Sequence, residues 1–361
     1  MRSRQQSLLS SAREAKGWTQ RALADNAGVS QPTISKAEAG LVPLNPEACK
    51  SVAHVLEVAP ALIAASATCS VSVNPIHHRR RASTMSATVM RRIEGTTLLT
   101  QYSVDQLTSG IDLVAEAKLP TIPIGTCAPE QAAQQLRDEW RIPDGPVSHV
   151  TALLEAAGVI VIVRDLHAAG QDALSSRGSA VGPSSPLVVM SSGIPADRLR
   201  FTLAHELGHL VMHSMPTDDQ EQQANAFASE FLMPASVIAE ELVGLASTDF
   251  DMLFRLKARW GVSIAALMRR AHDLGEVSDR QYRAFHVNLN RLGWRLVEPN
   301  QPDREVPTTM RRLIDLRLES GESLDQLASR AGMLVPQFLK VYRPDLAQPV
   351  SRTLRLGGDL P

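Results

Sequence analysis

The sequence predicts an α+β chain in three parts: an all-α amino-terminal unit, a mixed domain with a small sheet packed on helices, and a helical carboxyl-terminal region. Three observations predict it. Short amphipathic stretches punctuated by glycine fill residues 7–66. Two apolar runs, GVIVIVRD and PLVVMSS, read as buried strands in the middle of the chain. The run FTLAHELGHLVMH follows the second of them with helical period. At 361 residues and 44% hydrophobic content there is material for two or three domains with sizeable cores. The expected divisions are 7–66, a linker and helical connector at 67–126, the mixed domain at 127–300 and the helical region at 301–361.

In the first unit, Thr19 is placed to cap a helix carrying Leu23 and Ala24, and Gly28 to end it. Ser30 then caps the next helix, with Pro32 in its first turn. That is a helix-turn-helix, whose second helix enters the major groove of double-stranded DNA. Gln31, Thr33 and Ser35 are the candidate base or phosphate contacts, Gln20 and Lys36 the candidate phosphate contacts, and Ile34 points inward as core. Residues 1–70 hold seven Lys or Arg against five Asp or Glu, a net of +2, so the DNA reading rests on pattern and not on field strength.

Over the whole chain the formal charge is −1, which argues against a general nucleic-acid coat or a membrane-surface protein. The apolar stretch at 58–67 is short and interrupted by Pro60, and MRSRQQSLLSSAREAKG lacks the hydrophobic block of a signal peptide, so no membrane association is expected. Cys49, Cys69 and Cys127 are few, scattered and odd in number, as in a reduced cytoplasmic protein. The basic run His77, His78, Arg79, Arg80 and Arg81 reads as solvated linker in preference to a DNA-contacting arm.

Residues 130–158 read as helices: PEQAAQQLRDEWRI has apolar spacing at Ala133, Leu136 and Trp140, and HVTALLEAAG ends at Gly158. Between the two strands lies a loop with Gly170, Gly178 and Gly182. An exposed strand beside the following helix could hold a peptide by main-chain pairing. In that helix, residues four apart share a face, so His205 and His209 can reach one metal ion, with Glu206 beside it as general base toward water and then as acid toward a leaving amine. Leu203, Leu207 and Leu210 form the buried stripe, and Gly208 permits close packing.

A catalytic zinc takes three protein ligands and keeps a fourth position open, so a third donor is needed. Glu221 heads EQQANAFASEFLMP, a second helix on which Asn225 shares its face and can orient a ligating histidine. His213 competes, but along a straight helix it has rotated by about 80° from His205, which makes the two Zn ligands of one helix plus Glu221 the better set. The extended metzincin pattern is broken by Met212 and Met215. His272, Tyr282 and His286 are open candidates for a substrate-polarising group.

Further on, LKARWGVSIAALMRRAHDLGEVS repeats a helix-turn-helix-like pattern, with Trp260, Val262, Leu267 and Met268 expected to bury against the metal domain and read no DNA. A helix at 282–292 and the short element GWRLVEP follow, and PTTMRRLIDLRLESGESLDQLASRAGM reads as two more helices and a frayed tail without evident chemistry. No repeat at a fixed period, no phosphate-cradling loop and no GxSxG elbow are visible.

Through Arg13, Gly17, Thr19-Gln20, Leu23-Ala24, Gly28-Val29-Ser30, Ile34-Ser35, Glu38 and Gly40, the amino-terminal part resembles the Cro/CI-type (XRE) helix-turn-helix domains; Ala37 departs from their larger apolar residue. From DRLRFTLAHELGHLVMH through EQQANAFASEFLMP to VSIAALMRRAHDLGEVS, the segment from Asp197 to Pro299 is similar to the ImmA/IrrE metallo-endopeptidases. The resemblance implies a gluzincin-like, zincin-type domain with His205, His209 and Glu221 as zinc ligands and Glu206 as catalytic acid/base. It also implies a repressor-like protein substrate, and DNA readers of this type often dimerise on palindromic sites. Two functions are therefore expected of the fusion. One is a transcriptional regulator with a zinc endopeptidase; the other is a transcription factor whose metal domain is a non-catalytic sensor or oligomerisation module. An antitoxin or immunity partner is a third.

Overall fold

The computed structural model describes residues 6–66, 70–71, 86–166, 172–178, 184–214 and 217–347. The basic run from His77 to Arg81, Cys69, Gly170, Gly182, Met215 and the tail beyond residue 347 lie outside the described residues. The architecture is α+β, as the sequence predicts.

Five helices build the first unit: α1 (Leu8–Ala15), α2 (Gln20–Ala27), α3 (Gln31–Glu38), α4 (Pro46–Leu56) and α5 (Pro60–Ala65). The expected punctuation is present. The Thr19 hydroxyl accepts from Ala22 N, Gly28 closes α2 in the left-handed region, and Ser30 accepts from Thr33 N. Leu8, Leu23, Ile34 and Val52 are fully buried in the core these helices share. Across it, Arg13 Nε donates to Glu38 Oε1 at 2.6 Å. The ends of the unit are tied by a two-residue antiparallel pairing of β1 (Gln6–Ser7) with β2 (Ser70–Val71).

The connector contains one long helix, α6 (Ala87–Thr108). It packs on α1 so closely that a Cβ at Gly95 would lie 2.5 Å from Ser11 O. After it come α7 (Pro129–Glu139), α8 (Val150–Ala156), β3 (Ile160–Arg164), β4 (Ala173–Ser176) and β5 (Leu187–Ser191). The strand order is β3-β5-β4, with β3 parallel and β4 antiparallel to β5. Strand β4 corrects the reading of that stretch as loop alone. Alternation sends Val161, Ala173, Val188 and Met190 to one face, against the helices of the mixed domain. Ile160, Ile162, Leu187 and Val189 point to the other face.

The first face supports α9 (Ala196–Met212) and α10 (Gln220–Leu232), followed by α11 (Ala235–Leu242), α12 (Phe250–Trp260), α13 (Ile264–Asp273) and α14 (Asp279–Arg291). Leu203, Leu207 and Leu210 are buried, and a Cβ at Gly208 would stand 3.0 Å from the Phe227 ring. The α12–α13 pair has helix-turn-helix form, with Gly261 left-handed and Ser263 as cap, and buries Trp260, Val262, Leu267 and Met268 as expected. Lys257 of α12, itself buried, ion-pairs with Asp197 at the start of α9 and with Glu298, whose carboxylate accepts from Ile264 N and Ala265 N.

The second sheet face is covered by α6 together with α15 (Thr309–Glu319), α16 (Leu324–Arg330) and α17 (Val335–Tyr342); a short α18 (Pro344–Ala347) follows. Two helices and a frayed tail were expected here, and the start of that tail is helical. Among the described residues, no helix is long and apolar enough to cross a membrane.

Candidate metal centre

Helices α9 and α10 pack side by side, which turns the two imidazoles of α9 toward the first turn of α10. His205 Nε2 lies 3.1 Å from His209 Nε2 and 3.7 Å from Glu221 Oε2, and His209 Nε2 lies 3.4 Å from Glu221 Oε1. One ligand atom from each therefore falls within 4.8 Å of the others. Two donors at ~2.0–2.1 Å from a tetrahedral zinc stand about 3.3 Å apart, a spacing these three separations bracket. The donor set of two imidazole nitrogens and one carboxylate also fits a zinc site with a position left open.

The far nitrogens of both rings are held. His205 Nδ1 faces Asn225 Oδ1 at 2.9 Å; with the amide assigned so, its oxygen accepts from Nδ1–H and leaves the Nε2 lone pair toward the centre. His209, 1% exposed, meets His213 Nδ1 through its own Nδ1 at 3.1 Å, and His213 Nε2 meets Gln223 Oε1 at 3.0 Å. With the Gln223 amide assigned so, the donors run His213 to Gln223 and His209 to His213, which again frees Nε2 of His209 for a cation. His213 is thus seated behind His209. Neither Gln223 nor this role of His213 was read from the sequence, where Gln223 shows no pattern beyond its place between Glu221 and Asn225.

Residues 154–272 match the metallopeptidase family model described as the IrrE N-terminal-like domain, and residues 9–63 match that described as Helix-turn-helix. Both matches fall in the order the sequence predicts, the helix-turn-helix first and the metal domain second. No curated protein matches the chain.

In the IrrE N-terminal-like domain, Glu206 is nearly buried and lines the same cleft as His205, His209 and Glu221. The cleft has a volume of about 1010 Å³ and is walled further by Gln134, Arg198, Thr202, Ser263, Arg269 and Tyr282. Of the three open candidates for a polarising group, Tyr282 lines the cleft, its ring tilted against His272 and edge-on to His286 at centroid distances of 4.7 and 4.6 Å. His272 Nε2 bonds Asp279 Oδ1 at 2.7 Å, and His286 borders a separate pocket, where burial lowers its pKa with Arg295 adding to the shift. Asp172 and Ala173 at the start of edge strand β4 also line the cleft.

In the Helix-turn-helix domain, Gln31, Thr33 and Lys36 are exposed and Ser35 is half-buried, while Ile34 is core. Gln20 Nε2 donates to Glu38 Oε2 at 2.8 Å and its oxygen accepts from Gln31 Nε2 at 3.0 Å, so the first residues of α2 and α3 are tied together.

Proposed function

We propose that the chain is a transcriptional regulator that reads double-stranded DNA through α3 and cleaves a repressor-like protein in the cleft of its metal domain, in the cytoplasm and on DNA as a homodimer. The observation that carries the proposal is the convergence of His205, His209 and Glu221 in one cleft wall with Glu206. Zn²⁺ held there would polarise a peptide carbonyl and lower the pKa of water. Glu206 takes a proton from the attacking water, holds it on its carboxylate, and releases it to the departing amine nitrogen. Asn225 and His213 keep the two imidazoles aimed, and the start of β4 offers main-chain groups to an extended substrate. On the DNA side, Gln31, Thr33 and Ser35 meet bases or phosphates, and Gln20 and Lys36 meet the backbone.

The test compares wild type with Glu206→Gln by mapping new protein amino termini in producing cells, alongside zinc content and promoter output. Glu206→Gln should keep stoichiometric zinc and DNA binding and lose the new termini; Glu221→Ala should lose zinc. If no termini distinguish the two proteins and promoters respond alike, the non-catalytic sensor reading replaces the enzyme.

A further inference from the structure

The carboxyl-terminal helices repeat the amino-terminal reader. Placed along one another, Arg13, Gly17, Leu23 and Ala24 fall on Arg317, Gly321, Leu327 and Ala328. Continuing in the same register, Ala27, Gly28, Pro32 and Lys36 fall on Ala331, Gly332, Pro336 and Lys340 without an insertion. A single repeat separated by the whole metal domain has no fixed period, which is why a search for periodicity passes over it.

The structure repeats with the sequence. Ser323 caps α16 through Gln326 N as Thr19 caps α2 through Ala22 N. Gly332 ends its helix at φ +71° as Gly28 does at φ +66°, a left-handed turn that favours glycine in both copies. Proline stands in the first turn of both third helices, and Phe338 is buried where Ile34 is. Thr309–Tyr342 lies outside both stretches matched by the family models.

What differs is the face that would read DNA. The positions of Gln20, Gln31 and Ser35 are taken by Leu324, Val335 and Leu339, all partly buried against the core that contains Ile160 and Val189 of the sheet. Helix α17 packs directly on β3. The internal tie has changed too: Tyr342 replaces Glu38, so Arg317 donates instead to Leu107 O and Ser109 O at the end of α6, and the Tyr342 hydroxyl bonds Ser103 Oγ at 2.7 Å. On the opposite side, Ala59 N donates to Gly332 O at 3.1 Å, and a Cβ on Gly332 would stand 2.6 Å from Leu62, so the turn of the second copy is seated on α5 of the first.

We propose that Thr309–Tyr342 is a second helix-turn-helix that has exchanged DNA reading for an intramolecular role: its recognition face binds the sheet of the metal domain and its turn holds the reader. Each chain then presents one DNA-reading face. The claim of a single reading face rests on the first copy binding DNA; the claim of a clamp does not.

Two measurements on the full chain separate them. Leu339→Glu places a charge on the face turned to the sheet, and hydrogen exchange of the β3 amides should accelerate by tenfold or more. Unchanged exchange there would overturn the clamp, whatever DNA does. For reading, a mixed-sequence duplex is titrated at several salt concentrations. Gln31→Ala with Lys36→Ala should weaken binding and reduce the salt slope by about one. Gln337→Ala with Lys340→Ala, the polar positions of the second copy in register with Thr33 and Lys36, should leave both unchanged. An equal loss from both pairs would show that the second copy reads DNA and overturn the proposal. Absence of duplex binding by wild type would remove the reader from the proposed function and leave the exchange measurement to decide the clamp.

Discussion

His209 is buried and its Nδ1 meets His213, so the orientation of one candidate ligand depends on a residue that contributes no atom to the triad. Replacing His213 by Ala removes that partner while leaving the triad intact. Zinc affinity, measured by competition with a chelator, should fall by about 10–100-fold. A second single-residue effect concerns Asp105 of α6. Burial pushes its pKa up, against the opposing hydrogen bonds from Gln101 and Ser184. A carboxyl with a raised pKa in the fold favours the folded state below its ordinary value, and that contribution is lost as pH rises through the raised value. Asp105→Asn should therefore gain in stability relative to wild type as pH is taken upward from the ordinary aspartate range, read by denaturant midpoints at each pH. A difference that runs the other way would contradict the assigned cause.

Among the elements, Lys257 holds α12 to the start of α9 through Asp197 and to the start of α13 through Glu298. Lys257→Met would leave two acidic groups buried without their cation, which typically costs about 3–5 kcal/mol. The expected result is a lower melting temperature with weakened zinc retention, since α9 loses its anchor at one end. Elements with strong local punctuation were legible in the sequence: α2, α3 and α9 follow from Thr19, Gly28, Ser30 and the Leu203, Leu207, Leu210 stripe. Strand β4 was not, because ALSS is four residues without a repeating apolar alternation and takes its structure from pairing with β5. The role of His213 was hidden for a different reason. Angular reckoning assumes a continuing helix, whereas α9 ends at Met212 and His213 leaves it with φ −105° and ψ 100°, so the ring folds behind His209. The carboxyl-terminal copy was legible only by comparison with the first, since each of its helices alone is an ordinary amphipathic segment.

For the whole molecule, the sheet is covered on both faces by stretches distant in sequence: α6 and the carboxyl-terminal helices on one face, α9 and α10 with the helices after them on the other. A fragment trimmed to residues 154–272 would keep the second cover and lose the first, leaving Ile160, Ile162, Leu187 and Val189 open to water. Such a fragment should self-associate through that stripped surface, visible as light scattering during purification. The cleft is thus inseparable in practice from distant stretches of the chain, and a preparation meant to isolate the metal domain has to retain α6 and the carboxyl-terminal helices.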